Sequence, residues 1–212
     1  MSINPVLIVG TDTIGKIALE IFKSNEIVVY GFLDEDKSKH EQEIDHIPVL
    51  GSPDDDGFLK LIGKKCDVFV ASDDSKYKYK MIEMLSERRK VIPVNAIHSN
   101  NHLSSNLILG NGNLLNNGVS LGTFVEVGNH NIFHTNAIIE AETTIGNYVQ
   151  IGAGSIIGTK VTIEDNVFIG TGVTVVAGVK IGAGARIGVG SVVVENVKAN
   201  TTVFGNPAKP IA

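Results

Sequence analysis

A six-residue period in the second half of the chain constrains its fold more than any other feature. From Leu103, every sixth residue is apolar: Leu103, Leu109, Leu115, Leu121, Val127, Phe133, Ile139, Ile145, Ile151, Ile157, Ile163, Ile169, Val175, Ile181, Ile187 and Val193. Independent placement in a chain that is 43% hydrophobic does not produce that unbroken series. Glycine often follows, at Gly110, Gly122, Gly128, Gly146, Gly152, Gly158, Gly170, Gly182 and Gly188. Two positions before the series stand small or β-branched residues, among them Thr143, Val149, Ser155, Val161, Val167, Val173, Val179, Ala185 and Ser191. A helix repeats every 3.6 residues and a simple strand every 2, so a period of six is a short strand plus a corner. Two inward positions per unit fill a narrow core, and Gly or Asn at the corners permits the turn's backbone angles. Three sides make one coil of a triangular prism, and the series makes about five coils stacked in parallel. A β-sandwich is the competing reading, but it would space its strands irregularly, by about 8–12 residues. Apolar outward positions such as Val125 and Ile138 predict packing against copies of the same chain.

Composition fits a thin, repetitive core: 212 residues carry 23 Gly, no Trp and only 6% aromatics, leaving Ile, Val, Leu and Ala to fill the interior. A net charge of −5 does not support a broad nucleic-acid footprint. One cysteine, Cys66, excludes an intrachain disulfide framework and fits a reducing compartment; at the start of an apolar strand it reads as core. Met1–Pro5 lacks a basic leader region and the apolar run Val6–Val9 is short for a signal peptide. No stretch of about 18 apolar residues offers a membrane span. The expectation is a cytoplasmic protein that neither enters membranes nor binds nucleic acid.

Residues 1–97 read differently. Pro5–Gly10, Ile27–Leu33, Asp67–Ala71 and Val91–Ile97 are apolar runs suited to buried parallel strands. Ile14–Lys23 and Ser75–Lys90 have helical spacing, the latter with Tyr79, Ile82 and Leu85 on one face, and Asp55 or Asp56 is placed to cap a short helix through Ile62. Val49–Pro53 reads as a loop. Alternating strands and helices imply a parallel sheet. The predicted architecture is an α/β Rossmann-like domain over residues 1–97, followed over 98–212 by an all-β parallel β-helix with a C-terminal cap from Lys198 to Ala212.

The order of parts, with Gly31–Asp36 (GFLDED), Pro48–Gly51 (PVLG), Pro93–Ser99 (PVNAIHS) and Gly205–Lys209 (GNPAK), resembles the sugar acetyltransferase family typified by NeuD and PglD over nearly the whole chain. The resemblance implies a left-handed β-helix of hexapeptide repeats, a homotrimer with sites between subunits, acetyl-CoA along the helix, and a nucleotide-linked amino sugar held by the N-terminal domain. It implies acyl transfer to an amino or hydroxyl group in surface-glycan synthesis, without a metal: a His takes a proton from the attacking group and a backbone N–H holds the oxyanion. Carried over, the acetyl-CoA contacts are Gly152, Thr159, Gly170, Gly188, Asn206, Pro207 and Lys209. The nucleotide-sugar contacts are Gly10, Thr11, Gly15, Asp34 and Glu35.

The catalytic stretch departs from the family pattern. Ile132–Gln150 keeps its flanking residues, but the general-base His is Ala141, a second His that contacts the acetyl group is Gln150, and an Asn is His134. Alanine takes no proton. Three readings stand: His134 acts as base beside Glu140 and Glu142, brought there by a neighbouring subunit; positioning alone suffices for an amine that arrives deprotonated; or the protein is a non-catalytic trimeric binding or scaffold homologue. The first βα loop, Gly10–Gly15 (GTDTIG), keeps only the outer glycines of the family's phosphate loop. There Asp12 or Thr13 is placed to cap the helix, and Asp12 would repel a diphosphate. Asp34 resembles the ribose-contacting acid of dinucleotide folds. His40 and His46 sit in a polar loop with no second ligand at metal spacing; His98 and His102 have the i, i+4 spacing of helical metal ligands, but no helix is expected at that junction; and His130 sits on a corner between Asn129 and Asn131, where exposure is expected.

Overall fold

The computed structural model describes residues 4–211; Met1–Ile3, where the leader reading begins, and Ala212, the end of the expected cap, lie outside the described residues. The chain divides between Ser99 and Asn100 into two compact units.

The first unit contains β1 (Val6–Val9), α1 (Thr13–Ser24), β2 (Val29–Leu33), β3 (Glu43–Ile44), β4 (Ile47–Gly51), α2 (Asp56–Leu59), β5 (Asp67–Val70) and α3 (Ser75–Arg89). The sheet order is β3-β4-β2-β1-β5, parallel throughout except for the β3–β4 hairpin. Continuous apolar runs lie on β1 and β5 because these strands are buried. α1 buries Ile14, Ala18, Leu19, Ile21 and Phe22.

Four expectations are corrected. Val49–Pro53 is not simply a loop: Val49–Gly51 ends β4, which pairs with β2, and Pro48 pairs with Glu43 of β3 across the hairpin. Of Val91–Ile97 only Ala96–Ile97 is strand; Pro93 offers no N–H for a ladder. The helix capped by Asp55 stops at Leu59. In α3 the buried residues are Lys78, Met81 and Leu85, whereas Tyr79 is 57% exposed.

The second unit stacks two-residue strands 18 residues apart. The first face runs through His102–Leu103, Ser120–Leu121, Ile138–Ile139, Ile156–Ile157, Thr174–Val175 and Val192–Val193. The second runs through Ile108–Leu109, Glu126–Val127, Thr144–Ile145, Thr162–Ile163 and Lys180–Ile181. The third runs through Leu114–Leu115, Ile132–Phe133, Gln150–Ile151, Phe168–Ile169 and Arg186–Ile187. From Leu115 to Val193 the apolar series is buried, as are the residues two positions earlier from Asn113 to Ser191. Val125 belongs to that second inward column and is fully buried; the expectation that it points outward is wrong, while Ile138 is half-buried on the outer side.

Polar residues in the inward column satisfy the corner backbone. Asn131 donates to the Gly146 carbonyl and accepts from the Val149 N–H, and Ser155 donates to the Gly170 carbonyl. Every sixth corner residue from Gly112 to Gly190 has positive φ. At the C-terminal end Thr202–Gly205 pairs with Arg186–Ile187 and forms a hairpin with Ala208–Pro210, around a cis Asn206–Pro207 bond.

Candidate functional site

Stacking at an 18-residue interval turns corners into columns. On the edge between the third and first faces, His134, Gly152, Gly170 and Gly188 occupy one column, each donating its N–H to the next coil: to Ile151, Ile169, Ile187 and Val203. A Cβ on Gly152 would run into the Gly170 carbonyl carbon, one on Gly170 would lie 2.8 Å from Val189 N, and one on Gly188 would strike the Phe204 ring. Two residues on, Gly154, Gly172 and Gly190 have φ of +65° to +67° with nothing within 4 Å of a built Cβ. Over three coils this edge therefore has glycine at two of its corner columns, the inner Gly152 and Gly170 buried against the next coil, while Ala153, Thr171 and Val189 stand between the columns, Val189 61% exposed. At one end stands half-exposed Phe204, with exposed Asn206 and Pro207 beyond it; Lys209 pairs with Glu195 at 3.8 Å. At the other end stands His134.

His134 and Gln150 meet there. Their strands pair in register, Ile132 with Gln150 and Phe133 with Ile151, and Gln150 Nε2 lies 3.0 Å from His134 Nε2. Both are half-buried. Sequence reading treated them as separate departures. The signal for the contact is arithmetic: two residues 16 apart differ from one coil by a two-residue offset along the strand.

Glu140, Ala141 and Glu142 lie on a different edge, between the first and second faces. His134 therefore stands at one end of the Ile138–Ile139 strand and the two glutamates at the other, so a single chain does not assemble the expected catalytic trio. Glu142 has φ +61° and faces Lys160, 3.7 Å away. Thr159 also lies on this edge, beside Lys160, whose N–H bonds the Ala141 carbonyl; it does not join the glycine edge where the other expected acetyl-CoA contacts of the repeat lie. On the remaining edge the His130 ring is tilted against Tyr148 with centroids 5.2 Å apart, so His130 is half-buried rather than exposed.

In the first unit, Gly10 and Gly15 are demanded by packing: a Cβ on Gly10 would enter the Ala71 carbonyl oxygen, and one on Gly15 the Gly10 carbonyl. Asp34 accepts from Thr11 N at 3.1 Å, Thr11 Oγ1 at 2.5 Å, Asp36 N at 2.9 Å and Lys39 Nζ at 3.2 Å. Burial pushes its carboxyl up, but the Thr11, Asp36 and Lys39 hydrogen bonds outweigh it, and the pKa falls below the ordinary carboxylate range. Three of these donors reach Oδ2 and one reaches Oδ1, so Asp34 ties the end of β2 to the first loop. Asp12 occupies the α1 N-cap without capping through its side chain; it pairs with Lys39 at 3.0 Å, which offsets the repulsion expected toward a diphosphate. Two clefts open here, at the C-terminal end of the parallel strands. One, about 360 Å³, is lined by Gly10, Asp12, Asp34, Glu35 and Asp73; the other, about 380 Å³, by Thr11, Asp12, Lys16 and Lys39. Lys78, missed in the sequence between two tyrosines, is buried in α3, where desolvation pushes its pKa down to about 8 against the opposing pull of Asp73. Among the described residues no group of three or more His, Cys, Asp or Glu is placed to hold a metal ion, and no helix is long and apolar enough to cross a membrane.

Comparison with known proteins bears directly on these edges. The family model for bacterial transferase hexapeptide, six repeats, matches residues 136–177 and 160–195. The matched residues lie within the β-helical unit. Over the whole chain the structure is similar to a histidine-to-alanine mutant of GDP-perosamine N-acetyltransferase from Caulobacter crescentus, solved in complex with CoA and GDP-perosamine: 26% identity, TM-score 0.90, covering 100% of this chain and 98% of that one. The PerB protein of the same organism, with CoA and GDP-perosamine, matches at 26% identity and TM-score 0.89, covering 100% and 99%. The acetyltransferase domain of PglB from Neisseria gonorrhoeae, in complex with acetyl coenzyme A, shares the fold at 21% identity and TM-score 0.88, covering 99% and 100%. A comparison with curated proteins found no match. The resemblance to NeuD- and PglD-type sugar acetyltransferases thus extends from motifs to the whole fold.

Proposed function

We propose that the chain is a CoA-dependent sugar N-acyltransferase that moves an acetyl group from acetyl-CoA to the amine of a nucleotide-linked amino sugar. The observation that carries this reading is the whole-chain likeness to GDP-perosamine N-acetyltransferase. The glycine edge supports it, because the outer glycines Gly154, Gly172 and Gly190, with nothing within 4 Å of a built Cβ, leave room for an extended donor along the coil. In the first unit, the cleft lined by Thr11, Lys16 and Lys39 offers cations for a diphosphate, and the neighbouring cleft offers carboxylate acceptors for a base or sugar. In this reading the first unit is Rossmann-like, the β-helix is left-handed, and the protein works as a cytoplasmic homotrimer in glycan synthesis, with Glu140 and Glu142 near a neighbouring copy's glycine edge.

Ala141 restricts the acceptor. A hydroxyl is a weak nucleophile unless a base removes its proton, whereas a neutral amine attacks unaided. The loss of a base at this position therefore favours N-acylation. It need not abolish ligand binding: the Caulobacter relative with a histidine replaced by alanine was solved with both CoA and the nucleotide sugar.

The test is thiol release from acetyl-CoA with GDP-, UDP- and dTDP-linked amino sugars, alongside calorimetric titration of each ligand. Turnover with an amino sugar and none with its hydroxyl counterpart is expected. Ala141 favours a second reading, a ligand-binding homologue without chemistry, and binding of nucleotide sugar without CoA binding or turnover would establish it instead.

A further inference from the structure

We infer that Arg186 and Phe204 form the site for the adenosine end of CoA, with the Phe204 ring stacked on the adenine and the Arg186 guanidinium forked onto the 3′-phosphate. The inference deepens the acyl-transfer reading and rests on it for the identity of the donor. It starts from an arginine that lacks an anion. Residues 100–212 carry five lysines and arginines: Lys160, Lys180, Arg186, Lys198 and Lys209. Lys160 pairs with Glu142, Lys180 with Glu164 and Lys209 with Glu195. Lys198 lies beside Gly182, on the edge between the second and third faces. The Arg186 guanidinium has no hydrogen bond or ion pair among the described residues; it lies 4.5 Å from the centroid of the Phe168 ring. Phe168 and Arg186 face each other in register across adjacent coils, so strand pairing sets the stack. A stacked guanidinium keeps its N–H groups directed outward in its own plane, as a fork that matches the oxygens of a phosphate.

Phe204 supplies the second element. Arg186 pairs in register with Thr202, and Phe204 lies two residues further on. Ile187 and Val203 are buried while Arg186 and Phe204 are exposed, so alternation along the strands puts both on the outer side. Strand spacing separates their Cα atoms by about 8 Å. The Phe204 ring leans closer, over Gly188 of Arg186's own coil, where a Cβ would strike it. The ring is 50% exposed, and Val189, next along the chain from Gly188, is 61% exposed. An exposed phenyl adjoining an oriented guanidinium is complementary to a flat uncharged ring that carries a phosphate nearby. Adenosine 3′-phosphate has that form. Its phosphomonoester carries about two negative charges, more than either phosphorus of the diphosphate linkage, and it ends the molecule where a fork can reach its oxygens.

Calorimetric titration of the full chain with CoA, dephospho-CoA and 4′-phosphopantetheine separates these contacts. The wild type should bind CoA about 10- to 100-fold more tightly than dephospho-CoA, the range expected of hydrogen bonds between charged groups. Arg186→Gln should bring that ratio close to one. Arg186→Lys, which keeps the charge and loses the fork, should retain only part of it. Phe204→Ala should weaken CoA and dephospho-CoA alike, by about 10-fold, and leave phosphopantetheine unchanged, because only the first two carry adenine. The ratios are insensitive to a general loss of fold, which weakens all three ligands together. No preference for CoA in the wild type, or an unchanged preference in Arg186→Gln, overturns the inference. A wild type that turns over amino sugar and binds CoA and dephospho-CoA equally keeps the acyl-transfer reading and defeats this site. One that shows the Arg186-dependent preference but turns over no amino sugar keeps the site and defeats the acyl-transfer reading instead. Absence of CoA binding overturns both.

Discussion

Two edges of one prism, built on the same 18-residue stacking, have opposite surfaces. Between the third and first faces the corners above His134 carry Gly152, Gly154, Gly170, Gly172, Gly188 and Gly190, with Ala153, Thr171 and Val189 between them. Between the first and second faces the left-handed corner positions are taken by Phe124, Glu142 and Lys160 before Gly178 restores glycine. Each bulky residue at positive φ costs about 1–2 kcal/mol. The strained group brackets Ala141. Backbone strain of this kind persists where the surroundings enforce it and gathers at functional sites. One edge is thus rich in glycine, while the other places bulky side chains at its left-handed corners. The repeat fixes where corners fall; the residues at the corners decide what each edge does.

That contrast can be broken most directly at Ala141. Ala141→His restores an imidazole to the crowded edge, and we expect kcat to rise by about 10²–10⁴-fold, the usual contribution of a positioned base, with hydroxyl acceptors becoming substrates. Unchanged steady-state rates would show that this edge does not face the acceptor. Next in size is Gly170→Ala. Its Cβ would lie 2.8 Å from Val189 N and 3.0 Å from Val189 Cα, so backbone must move, at a cost of about 1–3 kcal/mol read by denaturant melts. Gly172→Ala should be milder, about 1 kcal/mol from its left-handed φ alone, because no atom lies within 4 Å of the added Cβ. It narrows the space beside the outer glycines, however, and acetyl-CoA affinity should fall in titration; an unaltered Kd would remove the glycine edge as the donor site. Smallest is Phe124→Gly on the crowded edge, where relief of strain should raise stability by up to about 1 kcal/mol in thermal unfolding, since the ring is 61% exposed.

Legibility differed between the two units for a physical reason. In the β-helix each residue's environment depends on its position in a short period, so the inward series from Leu115 to Val193 was readable directly. Val125 was misread because an apolar residue between inward positions looks outward until the second inward column is recognised. In the first unit, burial depends on which distant segment covers a residue. Tyr79 looked like the apolar choice for the buried face of α3, yet Lys78 is buried in its place. Asp12 had the sequence signature of a cap, but Lys39, 27 residues away, took its carboxylate. Asp34 looked like a ligand contact, and the structure adds that Thr11, Asp36 and Lys39 donate to its carboxylate.

The sequence by itself determined the repeat, the prism, the change of architecture near residue 97 and the absence of a histidine at position 141, because each is a statement about residue type or period. Only the tertiary structure decided that His134 and Gln150 touch, that Glu140 and Glu142 lie on another edge, and that Thr159 stands apart from Gly152, Gly170 and Gly188. Those relations depend on which strand stacks on which and on how side chains bridge adjacent coils. Chain order alone does not specify them.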